Sequence, residues 1–215
     1  MKNPESVAPI DRRGALVRIA GVALSFTGLT GLTGMRRFSP ASPLPPPASR
    51  LPLPASRPWD DRFELTVDLE LAQQGGFRAH RPYVAVWVED ATGRRVRTIS
   101  LWVNTSGRGP RYIRELRRWF DGERSAEDAG APDAIATTSS ATRLPGRYQV
   151  MWNGRDDRGN VVPQGSYRVI VEAAREHGSY QLMQQQLNLA ATPVAADLGS
   201  NEEIASARVE YRRKN

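Results

Sequence analysis

The 215-residue chain contains no cysteine. That one absence excludes disulfides, thiolate zinc sites, iron–sulfur ligation and Cys nucleophiles together. Histidine is nearly missing as well: His80 and His177 are the only two, so a His-based metal centre is poorly supplied. No apolar run reaches the ~20 residues that span a bilayer as a helix. The uncharged run of residues 19–33 is diluted by glycine and threonine. Aromatics amount to 7% of the chain, so its five tryptophans (Trp59, Trp87, Trp102, Trp119 and Trp152) stand out as sources of core area.

An even spread of charge is also lacking. Residues 1–58 hold eight basic residues (Lys2, Arg12, Arg13, Arg18, Arg36, Arg37, Arg50 and Arg57) against Glu5 and Asp11. From Trp59 onward 22 basic residues face 21 acidic ones, so nearly all of the formal +7 sits in the leader. A nucleic-acid-binding domain needs its basic excess on the folded part, where phosphates are neutralised. No nucleic-acid partner is therefore expected.

What is present begins with Arg12-Arg13-Gly14-Ala15-Leu16-Val17 ahead of the uncharged stretch, with Arg36-Arg37 behind it. This resembles a twin-arginine export signal, although Asp11 stands where Ser or Thr is usual and Ala15 where Phe is usual. Residues 1–38 read as that signal, or as an N-terminal anchor if it is not cleaved. Eight of the sixteen prolines fall within the linker assigned to residues 39–58, which cannot form helix or ladder and reads as an extended spacer. The domain is assigned to residues 59–215, in the periplasm of a bacterium.

Within it, Phe63, Leu65, Val67, Leu69 and Leu71 alternate with polar residues at period two, the pattern of a half-buried strand. Residues 83–89 are apolar on both faces, as in a central strand, and Asp90-Ala91-Thr92-Gly93 turns them into residues 95–103. A short helix is expected over residues 112–120, ended by Asp121-Gly122, followed by a long mobile loop over 123–144. Strands at 147–152, 166–174, 180–190 and 204–212 complete the set. About seven strands with one short helix predict a mainly β fold, an immunoglobulin-like antiparallel β-sandwich.

Residues 152–167, from Trp152-Asn153-Gly154-Arg155-Asp156-Asp157-Arg158-Gly159 to Val162-Pro163-Gln164-Gly165-Ser166-Tyr167, are hairpin grammar with glycines free to take positive φ. They resemble the W-D/N-G-x-D-x-x-G-x-x-V-P-x-G-x-Y signature of the immunoglobulin-like domain of the flagellar hook-capping protein. With Tyr83–Glu89, Leu101-Trp102, Arg118-Trp119, Ser140–Arg143, Pro145-Gly146 and Glu172–Gln181, the chain from about 60 to 212 is similar to domain-of-unknown-function family 2271, an exported bacterial family. Members are often associated with PepSY-type membrane proteins and flavin transferases. The resemblance therefore implies a membrane or periplasmic protein partner, of PepSY type, in a flavin-linked redox or metal-handling system.

Three groups of residues are weighed as sites. Asp156 and Asp157, with Asn153 and Asn160, offer oxygens of the kind Ca²⁺ takes, but the spacing is not that of an EF-hand. Together with Trp152 and Gly159 they are assigned to a turn, with no metal. Glu172, Arg175, Glu176, His177 and Tyr180 cluster where one strand ends and the next begins. They are the binding candidates, able to act as an acid–base pair or anion site, or as a plain Arg–Glu pair at a strand end. Ser139-Ser140-Ala141-Thr142 is similar to the S-G-A-T box at which flavin transferases attach FMN to a threonine. Ser140 replaces its glycine, and the nearest upstream acid is Asp133, not residue 136. No catalytic constellation stands out, so the expectation is a non-enzymatic, partner-binding protein without a cofactor. A covalent FMN carrier modified at Thr142 and a flagellar hook-assembly accessory are the alternatives.

Overall fold

The computed structural model describes residues 57–73, 80–176 and 178–214, all within the second of the two units, Leu51–Asn215, into which the chain divides. The twin-arginine-like leader, the linker up to residue 56 and His177 lie outside the described residues.

The described residues form β1 (Phe63–Leu71), β2 (Tyr83–Asp90), β3 (Arg95–Trp102), a 3₁₀ helix (Gly109–Glu115), α1 (Arg117–Asp128), α2 (Ala134–Thr138), β4 (Ser139–Ser140), β5 (Gly146–Trp152), β6 (Gly165–Ala174), β7 (Tyr180–Leu189), β8 (Val194–Gly199) and β9 (Ile204–Arg213). They make two sheets, ordered β5-β1-β9-β8 and β4-β3-β2-β6-β7. All pairings are antiparallel except the short one between β3 and β4. The fold is a β-sandwich.

Its inner core interleaves Leu65, Val67 and Leu69 of β1 with Val84, Val86 and Val88 of β2, Val169 and Val171 of β6, and Val209 of β9. The alternation of β1 thus points its apolar side inward, as period two requires. β2 is apolar on both faces because it has two cores to serve. On its other face, with β3 and β6, Ala85, Trp87, Leu101 and Ile170 are covered by Ile113, Leu116 and Trp119 of the helical segment. The described residues therefore form three layers: sheet, sheet and helical cap.

Three expectations are corrected. The strands number nine among the described residues rather than about seven, because β4 and β8 were not foreseen. The single helix at 112–120 is a 3₁₀ helix followed by α1, which runs on through Asp121-Gly122 to Asp128. The expected loop at 123–144 instead holds the end of α1, α2 capped by Asp133 through the N–H groups of Ile135 and Ala136, and β4.

One end of the sandwich is closed by aromatics. Trp152, 3% exposed, meets Trp59 with ring centres 4.9 Å apart and Tyr167 at 5.6 Å, and Trp59 meets Tyr211 at 5.1 Å. Trp59 is fixed there because its N–H donates to the Val162 carbonyl at 2.8 Å and its indole N–H to the Phe63 carbonyl at 3.2 Å. Arg57 and Pro58 continue this pairing against residues 163–164, so the last linker residues are already part of the fold.

Candidate functional site

The seam between the helical cap and the five-stranded sheet gathers Glu89, Glu123 and Glu172, three of the four acidic residues buried among the described residues. It begins with how α1 starts. Leu116 occupies its N-cap and offers no side-chain acceptor, so the first N–H groups of the helix need a partner from elsewhere. Glu172 of β6, fully buried, supplies it: one carboxylate oxygen accepts from the Arg118 N–H at 3.0 Å, the other from the Trp119 N–H at 2.8 Å. A negative charge at a helix N-terminus is also favoured by the helix dipole. Burial pushes the Glu172 carboxyl up, against the pull of those two N–H groups and the Tyr180 hydroxyl. Tyr180 is pushed up to about 12 by burial and by Glu172 itself.

Further along the seam, Glu89 accepts from the Trp87 indole N–H at 3.0 Å and from Arg118 at 2.7 Å. Trp119 donates its indole N–H to Thr98 at 3.1 Å. Arg95 lies beneath α1 with its side chain 3% exposed, pairing with Glu123 and sitting 3.4 Å from Asp157. Burial lowers its pKa, opposed by Asp157, and burial pushes the Asp157 carboxyl up, opposed by Arg95. A groove of about 780 Å³ opens beside this network, between α1, the β2–β3 turn and residues 156–163, rimmed by Arg94, Arg118 and Arg158. The carboxylates of Glu123, Glu127 and Asp133 come within 4.8 Å of one another. Glu123 is already bonded to Arg95 and the Ala134 N–H, and Asp133 caps α2, so these oxygens serve the fold.

Of the five residues expected to cluster at the β6–β7 end, the four that are described take two directions. Glu172 and Tyr180 face the cap. Arg175 turns to Glu203, which also accepts from the Ser179 hydroxyl, and reaches the His80 carbonyl. Glu176 stands 3.7 Å from the His80 imidazole and bonds Tyr112. His177 is outside the described residues. Burial pushes Glu203 up, but the bonds from Arg175 and Ser179 outweigh it and hold the carboxyl below its ordinary 4.5. A carboxylate lowered in the folded state stabilises above its unfolded pKa, and that contribution is lost as pH falls. Glu203→Gln should therefore flatten the loss of melting temperature between about pH 5 and pH 3. Identical slopes for wild type and variant would contradict the pairing.

Of the turn residues, Asp156 behaves as expected: it accepts from the N–H groups of Arg158 at 2.9 Å and Asn160 at 2.8 Å. Asp157 does something else. Its N–H donates to the Val96 carbonyl at 3.1 Å and its carboxylate accepts from the Thr98 N–H at 3.2 Å, so the turn stands in for a strand along the open edge of β3. Gly159 takes φ +83° and Gly154 φ +72°. Thr142 is half-buried in the link from β4 to β5, directly after Ser139 and Ser140 have paired with Leu101 and Trp102. The Arg143 guanidinium lies 5.6 Å from the ring centre of Trp102.

Sequence reasoning missed Glu89, Arg95, Thr98 and Glu123. A signal existed for one of them: Glu123 follows Trp119 by four residues, on the same face of a helix. For Arg95 nothing in the sequence separates it from the neighbouring Arg94 and Arg97.

A sequence model of the family described as "Predicted periplasmic protein (DUF2271)" matches residues 64–206. That is about two thirds of the chain, and the chain belongs to this family. No curated protein gives a significant match, and neither does any solved structure. Among the described residues no helix is long and apolar enough to cross a membrane. The likeness of residues 152–167 to the hook-capping signature gains no support from these comparisons.

Proposed function

We propose that this member of the periplasmic family is a non-catalytic accessory that binds a membrane or periplasmic protein of PepSY type in a flavin-linked redox or metal-handling system. One observation carries the non-catalytic part: the seam carboxylates that could act as acid or base are already engaged. Glu172 caps α1, Glu89 and Glu123 pair with Arg118 and Arg95, and Asp157 holds the edge of β3. A general base must reach a substrate proton with a free lone pair. What supports the partner part is the groove left open beside this braced seam, and a leader resembling an export signal ahead of a Pro-rich spacer.

The test is a binding titration of the full-length chain against the extracytoplasmic part of a PepSY-type protein of the same bacterium, with a hydrolase and oxidoreductase screen in parallel. Saturable binding without turnover is expected. Turnover in the screen, or no binding, sinks the reading. On the same reading the chain carries no covalent FMN. Ser139 and Ser140 are tied into the sheet edge, and Ser140 has a Cβ where the transferase box has none. Intact-mass measurement after co-expression with a flavin transferase should show no FMN adduct. An adduct that vanishes in Thr142→Ala would make the chain an electron carrier instead.

A further inference from the structure

Arg108, Arg111, Arg114 and Arg117 recur at every third position, and all four are exposed. The first three lie on the 3₁₀ helix, with Arg108 as its N-cap. A 3₁₀ helix has three residues per turn, so residues three apart stand directly above one another. The segment therefore has three columns. Pro110, Ile113 and Leu116 form one, with Ile113 and Leu116 buried in the cap's core. Gly109, Tyr112 and Glu115 form the second, buried or half-buried, with the Gly109 carbonyl accepting from the Tyr83 hydroxyl at 3.0 Å. The third is arginine throughout. Arg117, the first residue of α1, continues the spacing past Leu116 and stacks over the Tyr180 ring at 4.8 Å.

The ion pairs among the described residues engage the neighbouring arginines Arg94, Arg95 and Arg118 but none of these four. Residues 104–118 hold five arginines and one acid, Glu115, in a folded part that is otherwise nearly balanced at 22 basic to 21 acidic residues. A run of charge is most often a solvated face. This one differs in having no ion pair among the described residues, its contacts being Arg111 at 5.9 Å from the Tyr112 ring centre and Arg117 on Tyr180, and in being mounted on a helix whose other two columns are anchored.

We propose that this arginine column is a docking rail for an extended acidic segment of a partner protein, one carrying a carboxylate at every second residue. The proposal rests on the partner-binding reading above and names the chemistry of the partner. The column repeats every ~6 Å, three residues at ~2.0 Å rise. Side chains on one face of an extended strand repeat every ~6.6 Å, so successive carboxylates meet successive guanidiniums, which take carboxylates in a planar, two-bonded fork. The other polyanions fit less well. A bilayer presents a plane, whereas the column is one residue wide with a half-buried column beside it. Nucleic acid is not the expected partner of a periplasmic family.

The experiment measures binding of synthetic peptides of about twelve residues to the full-length chain: one alternating Glu and Ser, one with the same residues in two blocks. The alternating peptide should bind about tenfold more tightly, and the triple variant Arg108→Gln/Arg111→Gln/Arg114→Gln should lose about tenfold in affinity for it. Binding should weaken as salt rises. The three side chains are exposed, so the melting temperature should not move. Arg147→Gln/Arg208→Gln, on the other sheet, should bind like wild type. Equal binding of both peptides, or an unchanged triple variant, overturns the rail. So does binding of phosphatidylglycerol vesicles or an oligonucleotide, lost in the triple variant, when the alternating peptide does not bind. If the PepSY-type protein binds wild type and triple variant alike, the rail fails and the accessory reading stands. If the peptide binds through the column and that protein does not bind at all, the accessory reading fails and the rail stands.

Discussion

Gly154→Ala should destabilise the fold by about 2–5 kcal/mol, from about 1–2 for an L-residue in the left-handed region and about 1–3 for overpacking. Both terms are visible at this residue. Gly154 has φ +72°, and a Cβ placed on it would lie 2.1 Å from Cδ2 of the Trp59 indole. The atoms it meets are a buried ring, not the tip of a flexible side chain, so the clash cannot be relieved by a rotamer change. Trp59 is held by its own N–H bond to Val162 and by ring contacts to Trp152 and Tyr211, and moving it disturbs the closed end of the sandwich. Gly159→Ala is the control: its φ is +83°, but a Cβ there meets nothing within 4 Å, so the backbone term of about 1–2 kcal/mol should stand alone. Chemical denaturation followed by tryptophan fluorescence measures both. Equal losses for the two variants would mean that Trp59 does not press on Gly154.

The same residues show what a sequence makes legible. Period-two alternation in β1, double-sided apolarity in β2 and the glycine-marked turn at 153–164 are local patterns, and each appears where the pattern puts it. The twin-arginine leader is a reading of residues outside those described. What stayed hidden depends on partners distant in sequence. α1 runs on through Asp121-Gly122, a pair with the chemistry of a helix stop. It continues because Glu123, one turn beyond Trp119, is held under the helix by Arg95, 28 residues earlier. Its start was equally unreadable: Leu116 is no cap, and the acceptor comes from Glu172, 54 residues from Arg118. The Glu172–Tyr180 cluster was found by proximity along the chain, yet Arg175 points away from it because successive residues near a strand end face opposite sides. β8, with Ala195, Ala196 and Gly199, has too little apolar mass for its alternation to register.

Arg95→Met should cost about 3–5 kcal/mol, the usual result of removing one member of a buried ion pair. The side chains of Arg95 and Glu123 are 3% and 2% exposed, so in the variant Glu123 keeps only the Ala134 N–H while its charge stays out of water. Asp157 loses its nearest buried cation, retaining the Thr98 N–H and Arg97 at 3.8 Å. The double variant Arg95→Met/Glu123→Met should recover most of the loss, since an apolar pair of similar volume often replaces a buried ion pair without penalty. The pH dependence gives a second, independent readout. Burial already raises the Asp157 carboxyl with Arg95 opposing it, and without Arg95 that opposition is gone. A carboxyl whose pKa is raised by folding destabilises above that pKa, and the deficit shrinks as pH falls through it. The gap between wild type and Arg95→Met should therefore narrow on acidification from pH ~7 toward pH ~4, and the double variant, which also leaves Asp157 without Arg95, should keep the same Asp157-linked narrowing. Melting curves across that range decide it. A loss under about 1 kcal/mol that does not change with pH would place Arg95 on the surface of the seam, and the groove beside it would then open onto a free guanidinium.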